Sequence, residues 1–102
     1  MDVTGAEERL NPGQIVRILR GREAGKYAIV IGVEKPNFVW LADGAKRPID
    51  RSKRKNVKHI QPTKTIAREV ADSLKTDGRV NNAELRYALN QYLLRSGEKK
   101  GE

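Results

Sequence analysis

The chain has 102 residues, with 21 Lys and Arg against 13 Asp and Glu, for a formal net charge of +8. That length fits one compact domain and not two. With no cysteine and a single histidine, His59, a disulfide framework, a thiolate metal site and a set of imidazoles around zinc are excluded. The longest apolar run, residues 28–33, is far short of the about 18 residues a membrane span needs. Residues 1–4 lack the basic and apolar regions of a signal peptide, so a soluble cytoplasmic protein, without membrane contact, is expected.

The elements follow in chain order. Residues 1–11 have no apolar periodicity and end in the turn Asn11, Pro12, Gly13, which predicts a disordered lead-in. From Gly13 the chain breaks into short β-branched runs over 14–19, 26–33, 37–42, 57–60 and, more weakly, 47–49. Asp43-Gly44 is a hairpin signal and Lys35-Pro36-Asn37 a turn, so successive strands should be antiparallel neighbours. Short strands meandering through tight turns predict a small closed or half-closed barrel.

After Pro62 the period changes from two to about 3.6. Thr65 can cap a helix presenting Ile66, Val70 and Leu74, and Asp77-Gly78 stops it. Asn81 opens a second helix with Glu84 as the return partner of a capping box, and Leu85, Ala88, Leu89, Tyr92 and Leu93 form its apolar stripe. The pair reads as a helical hairpin, and 96–102 as a flexible tail.

Charge is unevenly placed: residues 1–12 carry −2, residues 13–61 carry +8 and residues 62–102 carry +2. Within the middle segment, residues 46–58 hold seven bases and one acid. Such a concentration implies a polyanionic partner, because a cation placed on a phosphate releases condensed counterions. The plainer alternative is a solvated basic loop.

Residues 13–33 supply the chemistry. A strand enters with Val16 and Ile18 directed to the core. The loop that follows carries Gly21 and Gly25 among Arg20, Arg22 and Lys26, and a second strand leaves through Val30 and Val33. Glycines there permit positive φ and close approach of a ligand to bare backbone, which suits phosphodiester contact. This spacing resembles the KOW motif. The continuation, 38–44 with Lys46-Arg47-Pro48 and then 53–60, is similar to the archaeal and eukaryotic branch of the large-subunit ribosomal protein family fourteen, and to small bacterial KOW-domain RNA-binding proteins in which a segment like 78–89 can follow. The resemblance implies an SH3-like five-stranded β-barrel over 12–62 followed by a helical extension over 63–95, a mostly β fold with C-terminal α. It also implies a non-catalytic ribonucleoprotein role in translation, binding structured RNA, ribosomal RNA of the large subunit in the first place. Ribosomal proteins or a translation factor are further partners it allows.

On that reading Arg17, Arg20, Gly21, Arg22, Gly25 and Lys26 contact phosphate and ribose, against the alternative of a solvated strand edge. Lys46, Arg47, Arg51, Lys53, Arg54, Lys55 and Lys58 form a second electrostatic surface, spaced as a loop tracking a phosphate backbone. Asn56 and His59 either bond bases and 2′-hydroxyls, or hold a turn and pack on the barrel. Phe38 and Trp40 share one strand face, which either stacks on unpaired bases or, the favoured reading, receives the apolar stripe of the helices.

Two other functions are disfavoured. Asp77, Gly78, Val80 and Glu84 match the second half of an EF-hand loop, but Ser73 and Lys75 occupy ligand positions in the first half, so no metal or other cofactor is expected. An enzyme acting on a small-molecule substrate is disfavoured because no cysteine nucleophile exists and His59 has no Ser or carboxylate pattern around it. A protein-interaction module binding a transcription or translation factor is the competing function.

Overall fold

A computed structural model of the chain describes residues 10–96. Five strands, β1 (Gln14–Ile18), β2 (Tyr27–Glu34), β3 (Phe38–Ala42), β4 (Lys53–Asn56) and β5 (Ile60–Ile66), precede two helices, α1 (Arg68–Asp77) and α2 (Asn82–Ser96). The strands form one antiparallel sheet in the order β4-β3-β2-β1-β5. The mostly β class with C-terminal helices is therefore as expected, but the hydrogen-bonded sheet does not close. β4 and β5 are its two edges, linked by a 3-10 turn at Val57–His59. That turn is held at both ends of the gap: Val57 N–H donates to the Asn37 carbonyl at 2.8 Å, and Leu19 N–H donates to that of His59 at 2.9 Å.

Alternation divides the sheet's apolar residues between two cores. On one face Val16, Ile18, Ala28, Val30, Val39, Leu41 and Ile60 pack with Leu10. On the other, Ile15, Ile29 and Ala42 meet Ala67, Val70, Val80, Leu85, Ala88 and Leu89. Leu85 and Val70 are fully buried, and each such side chain contributes about 1.5–3 kcal/mol relative to exposure. The helices thus bury the Ile15, Ile29 and Ala42 end of the sheet's second face.

Several expectations need correction. Leu10 is buried in the first core, and Asn11 N–H donates to Gln14 Oε1 at 3.1 Å, so the ordered fold starts before Gly13; the rest of the expected lead-in, and the tail beyond Ser96, lie outside the described residues. Residues 47–49 are not a strand: Asp43 Oδ1 accepts from Ala45 N–H and Arg47 N–H, both at 2.8 Å, which curls the chain into a turn followed by a 3-10 helix at Ile49–Arg51. The expected 57–60 strand is mostly the 3-10 turn, and within the basic run expected as a loop residues 53–56 are strand β4.

Strand β5 continues through Pro62 to Ile66, so Thr65 is not a helix cap; α1 begins after Ala67. Proline is compatible with β5 because the strand is an edge, and its threonines serve the sheet, with Thr63 Oγ1 donating to the Ile15 carbonyl at 2.7 Å. Ile66, expected on the first helix's apolar stripe, is consequently exposed on the strand. Gly78 closes α1 in the left-handed conformation, and the capping box is formed: Glu84 N–H donates to Asn81 Oδ1 at 2.8 Å and Asn81 N–H to Glu84 Oε1 at 3.0 Å. The helices dock on the face that carries Trp40, but at its Ile15, Ile29 and Ala42 end. Neither Phe38 nor Trp40 belongs to that core, which corrects the favoured docking surface.

Candidate nucleic-acid interface

The loop between β1 and β2 is a closed structure rather than a slack one. Ile18 N–H donates to the Lys26 carbonyl at 2.8 Å and Gly25 N–H to that of Ile18 at 2.7 Å. Gly21 and Gly25 have φ of +96° and +90°, which side chains with a Cβ adopt only at a cost. Arg20, Arg22 and Lys26 project from it into solvent.

Two members of the 46–58 basic run hold this loop. Lys55 Nζ donates to the Arg20 carbonyl at 2.9 Å, and Arg47 Nη2 meets Glu23 Oε2 at 3.4 Å. The result is one cleft lined by Lys26, Lys46, Arg47, Lys53 and Lys55, with Glu23 and Asp43 as its acids. Residues separated in sequence by nearly thirty positions thus present cations to a single surface, which can neutralise adjacent phosphates of one backbone.

The helices brace the far wall of the cleft. Ile49 N–H donates to Asn82 Oδ1 at 2.7 Å, and Arg86 Nη1 to the Gly44 carbonyl at 2.7 Å. Both contacts pin the connection that carries Lys46, Arg47 and Arg51.

Other sequence-predicted residues lie elsewhere. Arg17 is exposed, stands opposite Tyr27 and Gln61 on its neighbouring strands, and does not line the cleft. Arg51 and Lys58 are exposed outside it. Asn56 Oδ1 accepts from Lys58 N–H at 2.8 Å and caps the 3-10 turn, and the His59 carbonyl anchors Leu19. Arg54 points to the opposite side of β4, where its Nε and Nη2 donate to the two carboxylate oxygens of Glu34 at 3.0 and 3.1 Å. That bidentate bond, reinforced by the Trp40 indole N–H, holds the Glu34 carboxyl below the usual glutamate range and raises Arg54. Glu34 had no role in the sequence reading; the signal for it is the hairpin register that sets Glu34 opposite Phe38.

Among the described residues there is no group of three or more His, Cys, Asp or Glu placed to hold a metal ion. No helix among them is long and apolar enough to cross a membrane. In the second half of the EF-hand-like segment, Glu84 is taken by Asn81 and by Ser73 Oγ, which donates to Oε2 at 3.0 Å.

Residues 12–40, which hold the glycine loop between two antiparallel strands with cations around it, match the KOW motif. The chain is similar to the large ribosomal subunit protein eL14 of Pyrobaculum neutrophilum, with 35% identity over 54 residues. The match covers 53% of this chain and 52% of that protein, so the chain spans about half the length of the curated relative it matches.

Proposed function

We propose that the chain binds structured RNA, ribosomal RNA of the large subunit in the first place, as a non-catalytic component of the cytoplasmic translation machinery. The observation that carries this reading is the cleft in which the KOW loop and the basic run share five cations. Arg20, Gly21, Arg22, Gly25 and Lys26 present the loop to phosphate and ribose, and Lys46, Arg47, Lys53 and Lys55 follow the same backbone. Arg17, Arg51, Lys58 and His59 extend the contact along the flanks, while Asn56 supports the turn. The strand order supports taking the five-stranded sheet, from Gln14 to Ile66, as an SH3-like unit, with the two helices after it as an extension that fixes one wall of the cleft. Similarity to a large-subunit ribosomal protein supports the choice of RNA.

The test is affinity for large-subunit ribosomal RNA across a salt series. Log affinity should fall linearly with log salt, each neutralised phosphate contributing roughly 0.7 to 0.9 to the slope. A slope near zero sinks the reading and favours a protein partner. Tyr87 and Leu94, 58% and 62% exposed on α2, are then the first surface to test against ribosomal proteins or a translation factor.

A further inference from the structure

The face of the sheet on which the helices dock carries, at the end they leave uncovered, an aromatic and guanidinium cluster that the cleft does not use. Trp40 on β3 stands opposite Arg54 on β4 and opposite Gly32 on β2. Because Gly32 has no side chain, the indole settles against the backbone there, with its Cδ1 3.7 Å from where a Cβ would stand. Glu34 then fixes both neighbours: Trp40 Nε1 donates to its Oε1 at 3.1 Å, and Arg54 grips both oxygens. The Arg54 guanidinium carbon lies 3.7 Å from the centroid of the Phe38 ring. Three flat groups are thereby held in place with their polar edges satisfied. They remain open to solvent, Trp40 at 36% and the Arg54 side chain at 45%.

We propose that Trp40 and the Phe38-backed guanidinium of Arg54 form a stacking platform for an unpaired base of RNA. This rests on the RNA-binding reading and adds to it the single-stranded character of the bound segment. Three features select a base as the occupant. First, planar aromatic and guanidinium surfaces are what unstacked bases pack on. Second, Glu34 cancels the charge of Arg54 and repels a phosphate, yet its carboxylate accepts from the exocyclic amine or imino N–H of a base. Third, β4 is a sheet edge along which alternation places Lys53 and Lys55 on the cleft side and Arg54 on the platform side. An RNA strand crossing that edge sets its phosphates on the two lysines and lays a base over the edge onto Trp40. Fully paired RNA keeps its bases stacked inside the helix and reaches the cations alone.

Trp40 is the single tryptophan of the chain, so its fluorescence reports the platform directly. The full chain is titrated with a stem-loop RNA carrying an unpaired purine loop and with the fully paired duplex of the same stem. Binding is followed in parallel by filter retention. The stem-loop should quench Trp40 emission and the duplex should not. Trp40→Ala should weaken stem-loop binding about tenfold more than duplex binding, and Trp40→Phe, which keeps a ring in place and guards against misfolding, should restore most of the loss. Unchanged emission at saturating stem-loop, or equal weakening of both RNAs by Trp40→Ala, overturns the platform while leaving salt-dependent binding, and the broader reading, intact. Absence of salt-dependent binding to either RNA overturns both.

Discussion

Lys55 and Arg20 are 35 residues apart, and the ammonium of one donates to the backbone carbonyl of the other at 2.9 Å. The bond joins the basic edge strand β4 to the glycine loop and sets the Lys55 charge beside Gly21, where a Cβ would stand 3.0 Å from Nζ. A lysine has three donors, so the loop carbonyl uses one and leaves two for a phosphate. The same side chain therefore shapes the loop and offers it charge.

From this it follows that the three adjacent cations of β4 are not equivalent toward RNA. Lys53 and Lys55 line the cleft, whereas Arg54 is committed to Glu34 on the other face. Lys53→Ala and Lys55→Ala should each reduce the slope of log affinity against log salt by about one. Arg54→Ala should change that slope by less than half as much. Duplex RNA titrated at four or five salt concentrations measures all three, and equal slopes for the three variants would contradict the assignment.

How much of this is legible in the sequence depends on the range of the interactions. Val16, Ile18, Val39 and Leu41 announce a core face because alternation is local, and Asn81 with Glu84 announces a cap because its partners are three residues apart. The burial of Ile15 and Ile29 on the second face depends on where the helices return, which no local pattern states. Pro62 reads as a break, yet on an edge strand its missing N–H costs nothing in the sheet. The cleft is half legible: its cations are visible as a run, but the bonds from Lys55 and Arg47 to the loop depend on β4 lying next to β3. The pairing of Arg54 with Glu34 needs the register of two hairpins at once.

Glycine substitutions separate backbone strain from packing. Gly25 has φ +90° and open space where a Cβ would stand. Gly25→Ala should therefore cost about 1 kcal/mol, the left-handed penalty alone. Gly44 has φ +81°, and a Cβ there would overlap the Asn82 carbonyl oxygen and press on Leu85 and Arg86. Gly44→Ala adds an overpacking cost of about 1–3 kcal/mol to that strain. Urea unfolding of the two variants should show the second clearly less stable than the first, with the wild-type m-value retained.

The helical hairpin's hold on the basic connection is testable at Asn82. Its Oδ1 accepts from Ile49 N–H at 2.7 Å, and Asn82→Ala leaves that part-buried donor without a partner, at a cost of about 1–3 kcal/mol. The Ile49 amide should exchange with solvent faster in the variant. Affinity for RNA should fall although no charge has been removed, because Lys46 and Arg47 lie on the released segment. Unaltered exchange at Ile49 would show that the brace is unimportant.

The Glu34 pair supplies a pH signature. Its carboxyl is held below the ordinary glutamate range chiefly by the hydrogen bond from Arg54, with the Trp40 N–H adding to it. A depressed folded-state pKa means that the ionised pair stabilises the fold at neutral pH, and that this contribution is lost as pH falls through the folded value. Arg54 stays charged throughout, so the transition belongs to Glu34. Protonation weakens the grip on Arg54 and changes the polarity at the indole N–H, and Trp40 emission should follow it. The emission should titrate with a midpoint below that of glutamate in an unfolded peptide, and Glu34→Gln should abolish the transition while the far-ultraviolet circular dichroism stays that of the folded chain. A midpoint at or above the unfolded-peptide value would place the carboxylate outside the cluster.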